Sequence, residues 1–175
     1  MTSDATPALQ WGHINVNVSD LDRSIAFYET LGFEVYRPAI PYLNLEMAGT
    51  GNTMAAGATR ALGVPSSFRS RGCVMQLGRG FPKLDLIEVA DGEPRTPLSN
   101  ADHGLVRICL STNDLDAVYA DLSAKGVEFL TPPEAMQDAM AKVAVCRDPD
   151  GTLIELIHTD PDRWPALPLS AGGRG

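Results

Sequence analysis

The sequence has only three cysteines, three histidines and fewer bases than acids. Cys73, Cys109 and Cys146 show neither close disulfide pairing nor zinc-like spacing, which leaves them as reduced thiols of the interior. The 14 Lys and Arg against 22 Asp and Glu give a net charge of −8, which argues against nucleic acid and against an anionic membrane as partners. No stretch approaches the ~20 apolar residues that a membrane helix needs. Residues 1–9 lack the charged start and apolar centre of a signal peptide, so a cytoplasmic location is expected. Small molecules remain as the partner class.

What is present is a repeat. With 175 residues and 44% hydrophobic content, the chain suits one domain or two small modules, and it carries one stretch twice. HINVNVSDLDRSIAFYETLG starts at His13, and a degenerate copy, RICLSTNDLDAVYADLSAKG, starts at Arg107. Asp20 and Gly32 lie over Asp114 and Gly126 at one ungapped offset of 94 (114 − 20 and 126 − 32), the mark of a duplicated structural unit. Inside each copy, apolar residues alternate with polar ones, Ile14, Val16 and Val18 against His13, Asn15 and Asn17, as in a strand with two unlike faces. Ser19 or Asn113 is then placed to cap a helix whose first turn carries two Asp. The buried stripe is expected at Leu21, Ile25, Tyr28 and Leu31, repeated by Leu115, Tyr119 and Leu122. Gly32 and Gly126 are expected to end the helices.

The pattern predicts an arm over residues 1–9, a first module over 10–89, a linker over 90–104, a second module over 105–158 and a mobile tail over 159–175, unless Trp164 docks it. In the first module, further strands are expected at 33–37, 42–47, 73–77 and 84–89. Residues 48–71 interrupt the repeat, with a short helix at 52–62 stopped by Gly63-Val64-Pro65. Arg60, Arg69 and Arg71 lie there, so the stretch reads either as a solvated excursion or as a lid facing an anionic ligand. The second module is expected to add strands at 127–130, 142–147 and 153–157.

A strand opening on His13 and running into V-S-D-L-D-R-S-I-A-F-Y-E-T-L-G-F, with R-D-P-D-G-T-L-I-E-L-I in the second copy, resembles the vicinal oxygen chelate superfamily of glyoxalases, bleomycin resistance proteins and extradiol dioxygenases. The resemblance implies an α+β fold in which paired βαβββ modules curl into a cup with helices on the convex side. It also implies a homodimer, and a divalent metal held by one residue from the first and one from the last strand of each module. Carried onto this chain, those positions are His13, Glu88, Arg107 and Glu155. Leu86-Ile87-Glu88 matches Leu153-Ile154-Glu155 letter for letter, and the insertion absorbs the unequal spacing.

Arg107 departs from that pattern. A guanidinium has no lone pair to give and repels a nearby cation. His13, Glu88 and Glu155 remain as a ligand set for Zn²⁺, Mn²⁺, Fe²⁺, Ni²⁺ or Mg²⁺. The competing arrangement has no metal, and Arg107 pairs with Glu88 or Glu155 instead. His103 falls in the linker, and His158 falls on the strand face opposite Glu155.

Three function classes follow from the resemblance. The first is an isomerase, epimerase or lyase that moves a proton next to a carbonyl or carboxylate, with Glu88 or Glu155 moving the proton, Arg107 clamping an anion and His13 as ligand or donor. Substrate contacts would come from Asn15, Asn17, Cys109, Ser111 and the three insertion arginines. The second is a metal-free protein that sequesters a toxin or antibiotic, a reading weakened by an aromatic content of 6%. The third, an extradiol-type dioxygenase, needs a second histidine where Arg107 stands.

Overall fold

The computed structural model describes residues 9–90, 92–93 and 96–165, so the expected arm, apart from Leu9, and the end of the expected tail lie outside the described residues. The chain divides into two units, Met1–Pro97 and Leu98–Gly175.

The first unit runs β1 (His13–Val18), α1 (Leu21–Thr30), β2 (Glu34–Arg37), β3 (Ala39–Ile40), β4 (Leu45–Glu46), β5 (Asn52–Thr53), α2 (Ala56–Leu62), β6 (Arg69–Gln76) and β7 (Lys83–Val89). Its main sheet has the order β1-β7-β6-β2, with β5 added to β6. β1 and β7 are parallel; β6 runs antiparallel to both β7 and β2. The second unit contains β8 (Arg107–Ser111), α3 (Leu115–Ala124), β9 (Glu134–Ala135), β10 (Ala141–Arg147) and β11 (Leu153–Thr159). Its sheet, β8-β11-β10-β9, also pairs its first and last strands in parallel. The fold is α+β, and the two units repeat one topology.

The helices are fixed by their ends and by one face. The caps are Asp20 and Asp114, one residue later than the expected Ser19 and Asn113. Each accepts a hydrogen bond from the backbone N–H three residues on, Arg23 and Ala117, at 3.0 Å. A carboxylate there satisfies an orphan donor and meets the positive end of the helix dipole at once. Gly32 and Gly126 follow the helices at φ of 92° and 86°, a conformation that costs glycine little. Leu21 and Tyr28 are buried against β2 and β7, and Tyr28 meets Phe27 and Phe33 edge-on at 5.3 and 5.5 Å. Burying each such side chain contributes about 1.5–3 kcal/mol. Ile25, Leu31 and Tyr119 are only half-buried, while Leu115 and Leu122 carry the α3 stripe.

Residues 39–62 differ from expectation. The strand expected at 42–47 is broken, because Pro41 has no N–H for a ladder and Asn44 adopts a left-handed φ of 61°. A tight turn over Pro41–Leu43 therefore joins β3 to β4 in a small hairpin. The helix expected from residue 52 begins at Ala56, after β5. Ile40, Leu43 and Leu45 bury themselves on Ile87 of β7, with Met54 and Ala58 packed alongside. A Cβ on Gly72 of β6 would sit 3.1 Å from both Ile40 Cδ1 and Leu86 O, so glycine is what lets the hairpin lie against the sheet.

In the second unit, residues 127–130 form a single bridge, Phe129 to Cys146, instead of a strand. Trp164 donates its indole N–H to Met140 O at 3.1 Å, which ties residues 161–164 to the start of β10.

Candidate functional site

Parallel register decides which residues share a face. His13, Asn15 and Asn17 on β1 lie beside Lys83, Asp85 and Ile87 on β7, and this face looks away from α1. Asp85 is 2% exposed, an uncommon place for a carboxylate. Its Oδ2 accepts a hydrogen bond from the Tyr42 hydroxyl at 3.1 Å and lies 3.7 Å from His13 Nδ1. Burial pushes the Asp85 carboxyl above its ordinary range, against the opposing pull of His13 and Tyr42. Tyr42 is raised in turn, by its own burial and by the Asp85 charge. Tyr42 reaches Asp85 because the hairpin turn lifts it out of the strand path while its neighbour Leu43 is anchored in the core.

Glu88 lies on the other face, with Leu84 and Leu86. Its carboxylate accepts from Arg71 Nη2 at 2.6 Å, Arg71 Nε at 3.1 Å and the Leu21 backbone N–H at 2.8 Å. The Arg71 hydrogen bonds hold the Glu88 carboxyl below its ordinary range, despite burial. Arg71 also binds Asp22 Oδ2 at 3.0 Å and Met47 O at 3.3 Å, so one guanidinium ties β6, β7 and the start of α1 together. The lid expectation for Arg69 and Arg71 is thereby corrected. Both stand in β6, and Arg69 is bonded to Thr50 and Gly51. Arg60 sits exposed in the last turn of α2.

The second unit places Arg107, Cys109 and Ser111 on one face with Leu153, Glu155 and Ile157. Arg107 Nε donates to Glu155 Oε2, and Arg107 Nη1 donates to Asn100 Oδ1 at 3.1 Å. Cys73 and Cys146 are interior as expected, but Cys109 is exposed, because it stands on the polar face of β8; its thiol meets Glu155 Oε1 at 3.4 Å, and partial desolvation together with that carboxylate pushes the thiol up to about 11. His158 turns to the helix side and contacts Thr112 O at 3.2 Å.

Register also shows which acids are counterparts. Asp85 pairs with Asn15, two residues beyond His13, and Glu155 pairs with Cys109, two beyond Arg107. Asp85, not Glu88, is therefore the structural counterpart of Glu155. The signal was in the sequence: Leu84-Asp85-Leu86-Ile87 aligns with Ile154-Glu155-Leu156-Ile157. The literal match of L-I-E at 86–88 and 153–155 concealed it by pairing residues three positions out of register.

Comparison with known proteins agrees with the duplicated topology. The profile of the Glyoxalase/Bleomycin resistance protein/Dioxygenase superfamily matches residues 10–156. The chain belongs to this superfamily. Among solved structures, a glyoxalase family protein from Bacillus cereus is similar at a TM-score of 0.68 and 19% identity, over 90% of this chain and 99% of that one. A glyoxalase family protein from Enterococcus faecalis gives 0.58 and 21%, over 83% of this chain and 94% of that one. A glyoxalase I mutant from Zea mays also gives 0.58, at 18% identity, over 86% of this chain and 45% of that one. No curated protein matches.

Superfamily members often use a divalent metal, and the register puts Asp85, not Glu88, beside His13 among the positions expected to hold one. Glu88 faces the helix with both oxygens taken by N–H donors, so it is not available beside His13. Glu155 is held by a guanidinium. Among the described residues, no group of three or more His, Cys, Asp and Glu is placed to hold a metal ion.

Proposed function

We propose that this superfamily member moves a proton next to a carbonyl or carboxylate of a small molecule, as an isomerase, epimerase or lyase does, with Asp85 as the proton-transferring group. One observation carries the reading: a buried carboxylate with an imidazole and a phenol beside it, on the sheet face away from α1. A carboxyl group raised by burial is a stronger base than an exposed one, and closer to the pH at which it must work.

The chemistry assigned to each residue follows from its donors. Asp85 takes the proton from carbon. Oxyanion charge then develops on the adjacent oxygen, where the Tyr42 O–H and a His13 N–H donate. Tyr42 must first leave Asp85, because a base has to come within about 2.6–3.2 Å of the group it deprotonates. Tyr42 is 63% exposed, so this movement breaks little packing. Glu88 takes no part, since its oxygens serve Arg71 and α1.

The test is hydrogen exchange in D₂O, followed by proton NMR, on 2-hydroxy ketones, thiohemiacetals of 2-oxoaldehydes and branched acyl thioesters. Wild-type protein is expected to exchange the proton alpha to the carbonyl, with or without chelator, and Asp85→Asn to lose about 10²-fold or more. Undiminished exchange in Asp85→Asn would refute the assignment. Saturable binding without exchange of any substrate would favour the sequestering class instead.

A further inference from the structure

The face that carries Asp85 also carries a cation that proton transfer does not use. Lys83 is 7% exposed in a chain of net charge −8, yet among the described residues its ammonium has no carboxylate partner. Its contacts are all neutral. Nζ donates to Gln76 Oε1 at 2.7 Å and lies 4.8 Å from the centre of the Tyr36 ring and 5.1 Å from that of Phe81. Glu34 accepts from the Gln76 amide, and the Gln76 carbonyl faces Lys83.

A purely structural lysine would carry its ammonium out to water along an apolar stem. A buried one is ordinarily neutralised by an acid, because desolvated charge is costly. Lys83 does neither. Its neutral partners offset part of the desolvation and leave its charge whole. The irregular register between Val35 and Arg37 in β2 adds to this, since Arg37 pairs with Val74, which in turn pairs with Asp85. Arg37 thus joins the same face, and its guanidinium carbon lies 5.3 Å from the Tyr36 ring centre. Strand irregularities of this kind commonly re-aim side chains near binding sites.

We propose that Lys83, flanked by Tyr36 and Phe81, is an anion subsite for a small organic carboxylate or phosphate. This deepens the reading of Asp85 above and rests on it for the reaction. Lys83 and Asp85 are two residues apart on one face of β7, about 6.8 Å along the strand. That separation suits an anionic group two or three carbons from the carbon that loses its proton. Tyr36 is 46% and Phe81 is 66% exposed, so their rings have free surface on which a flat ligand can stack.

The experiment titrates the full chain with phenyl phosphate, with benzoate and with neutral benzyl alcohol, by calorimetry and by NMR of ¹³Cε-labelled lysine. Saturable binding of at least one anion, tighter than benzyl alcohol, is expected, and the stronger of the two identifies the natural group. Lys83→Met keeps the stem and is expected to weaken that anion at least tenfold. Anion binding unchanged in a folded Lys83→Met protein, or absent from wild type, would overturn the subsite. Should Lys83→Met fail to fold, the wild-type Lys83 resonance decides: movement on saturation supports the proposal and immobility refutes it. The two readings separate cleanly, because loss of exchange in Asp85→Asn with no effect of Lys83→Met on binding refutes only the subsite.

Discussion

Arg71→Met is the substitution that best separates a structural role for Glu88 from a catalytic one. Arg71 and Glu88 have side-chain exposures of 15% and 16%, so solvent screens their charges weakly. Removing the guanidinium leaves Glu88 with one donor, the Leu21 N–H, and takes a donor from Met47 O, while the exposed Asp22 turns to water. Breaking a buried pair from one side costs about 3–5 kcal/mol, and the residual exposure places the expected loss near the lower end, about 3 kcal/mol. The assay is urea denaturation of Arg71→Met, Glu88→Gln and the double variant, read as a coupling energy. A coupling of about 2 kcal/mol is expected. The pH dependence supplies a second readout. The folded carboxyl of Glu88 is lower than its unfolded counterpart, so its contribution is complete above the unfolded value of about 4.3 and is lost as pH falls through the folded one. Glu88→Gln abolishes that acid-side slope. A coupling near zero, or a Glu88→Gln protein of wild-type stability that loses proton exchange, would refute the bracket and return Glu88 to the chemistry.

Other outcomes follow from single contacts. Asp85 has its carboxyl raised by the fold, so its charged form disfavours folding above the unfolded value, and Asp85→Asn is expected to match or exceed wild-type melting temperature at pH 8. Cys109, pushed up to about 11, is expected to alkylate with iodoacetamide at pH 7.5 more than tenfold slower than a free thiol, for which about 8.5 is usual. Glu155→Gln should speed that reaction by removing the neighbouring charge; an unchanged rate would mean that burial alone protects the thiol. Asp20→Ala and Asp114→Ala are each expected to cost about 1 kcal/mol in denaturant titration, and a silent variant would show that its cap is replaced by water.

The repeat made the topology legible, because offset, alternation and terminating glycines are local signals and both copies carry them. The face of each acid was legible only in part. Lys83 and Asp85 alternate with Leu84 and Leu86, but Ile87-Glu88 breaks the alternation and the literal L-I-E match drew attention to Glu88. The hairpin and α2 cover Ile87, and Tyr36 and Phe81 flank Lys83, whereas the copy containing β11 has no matching insertion. Arg71 was misread for a related reason. A basic residue in a glycine-rich stretch reads as loop, and only long-range pairing with Glu88 turns that stretch into a strand. The partner of Tyr42 lies 43 residues on, and no local pattern points to it.

The hairpin packed over Gly72 also bears on how the two halves of the chain can change. β7 is enclosed on both sides over Lys83–Ile87, so almost any substitution there disturbs a packed neighbour, whereas β11 has intermediate exposure at Glu155, Ile157, His158 and Thr159. Duplication supplies two equal copies, but the cover makes mutational tolerance unequal. A saturation library should find more permitted variants on the Arg107 and Glu155 strands than on the Lys83–Asp85 strand.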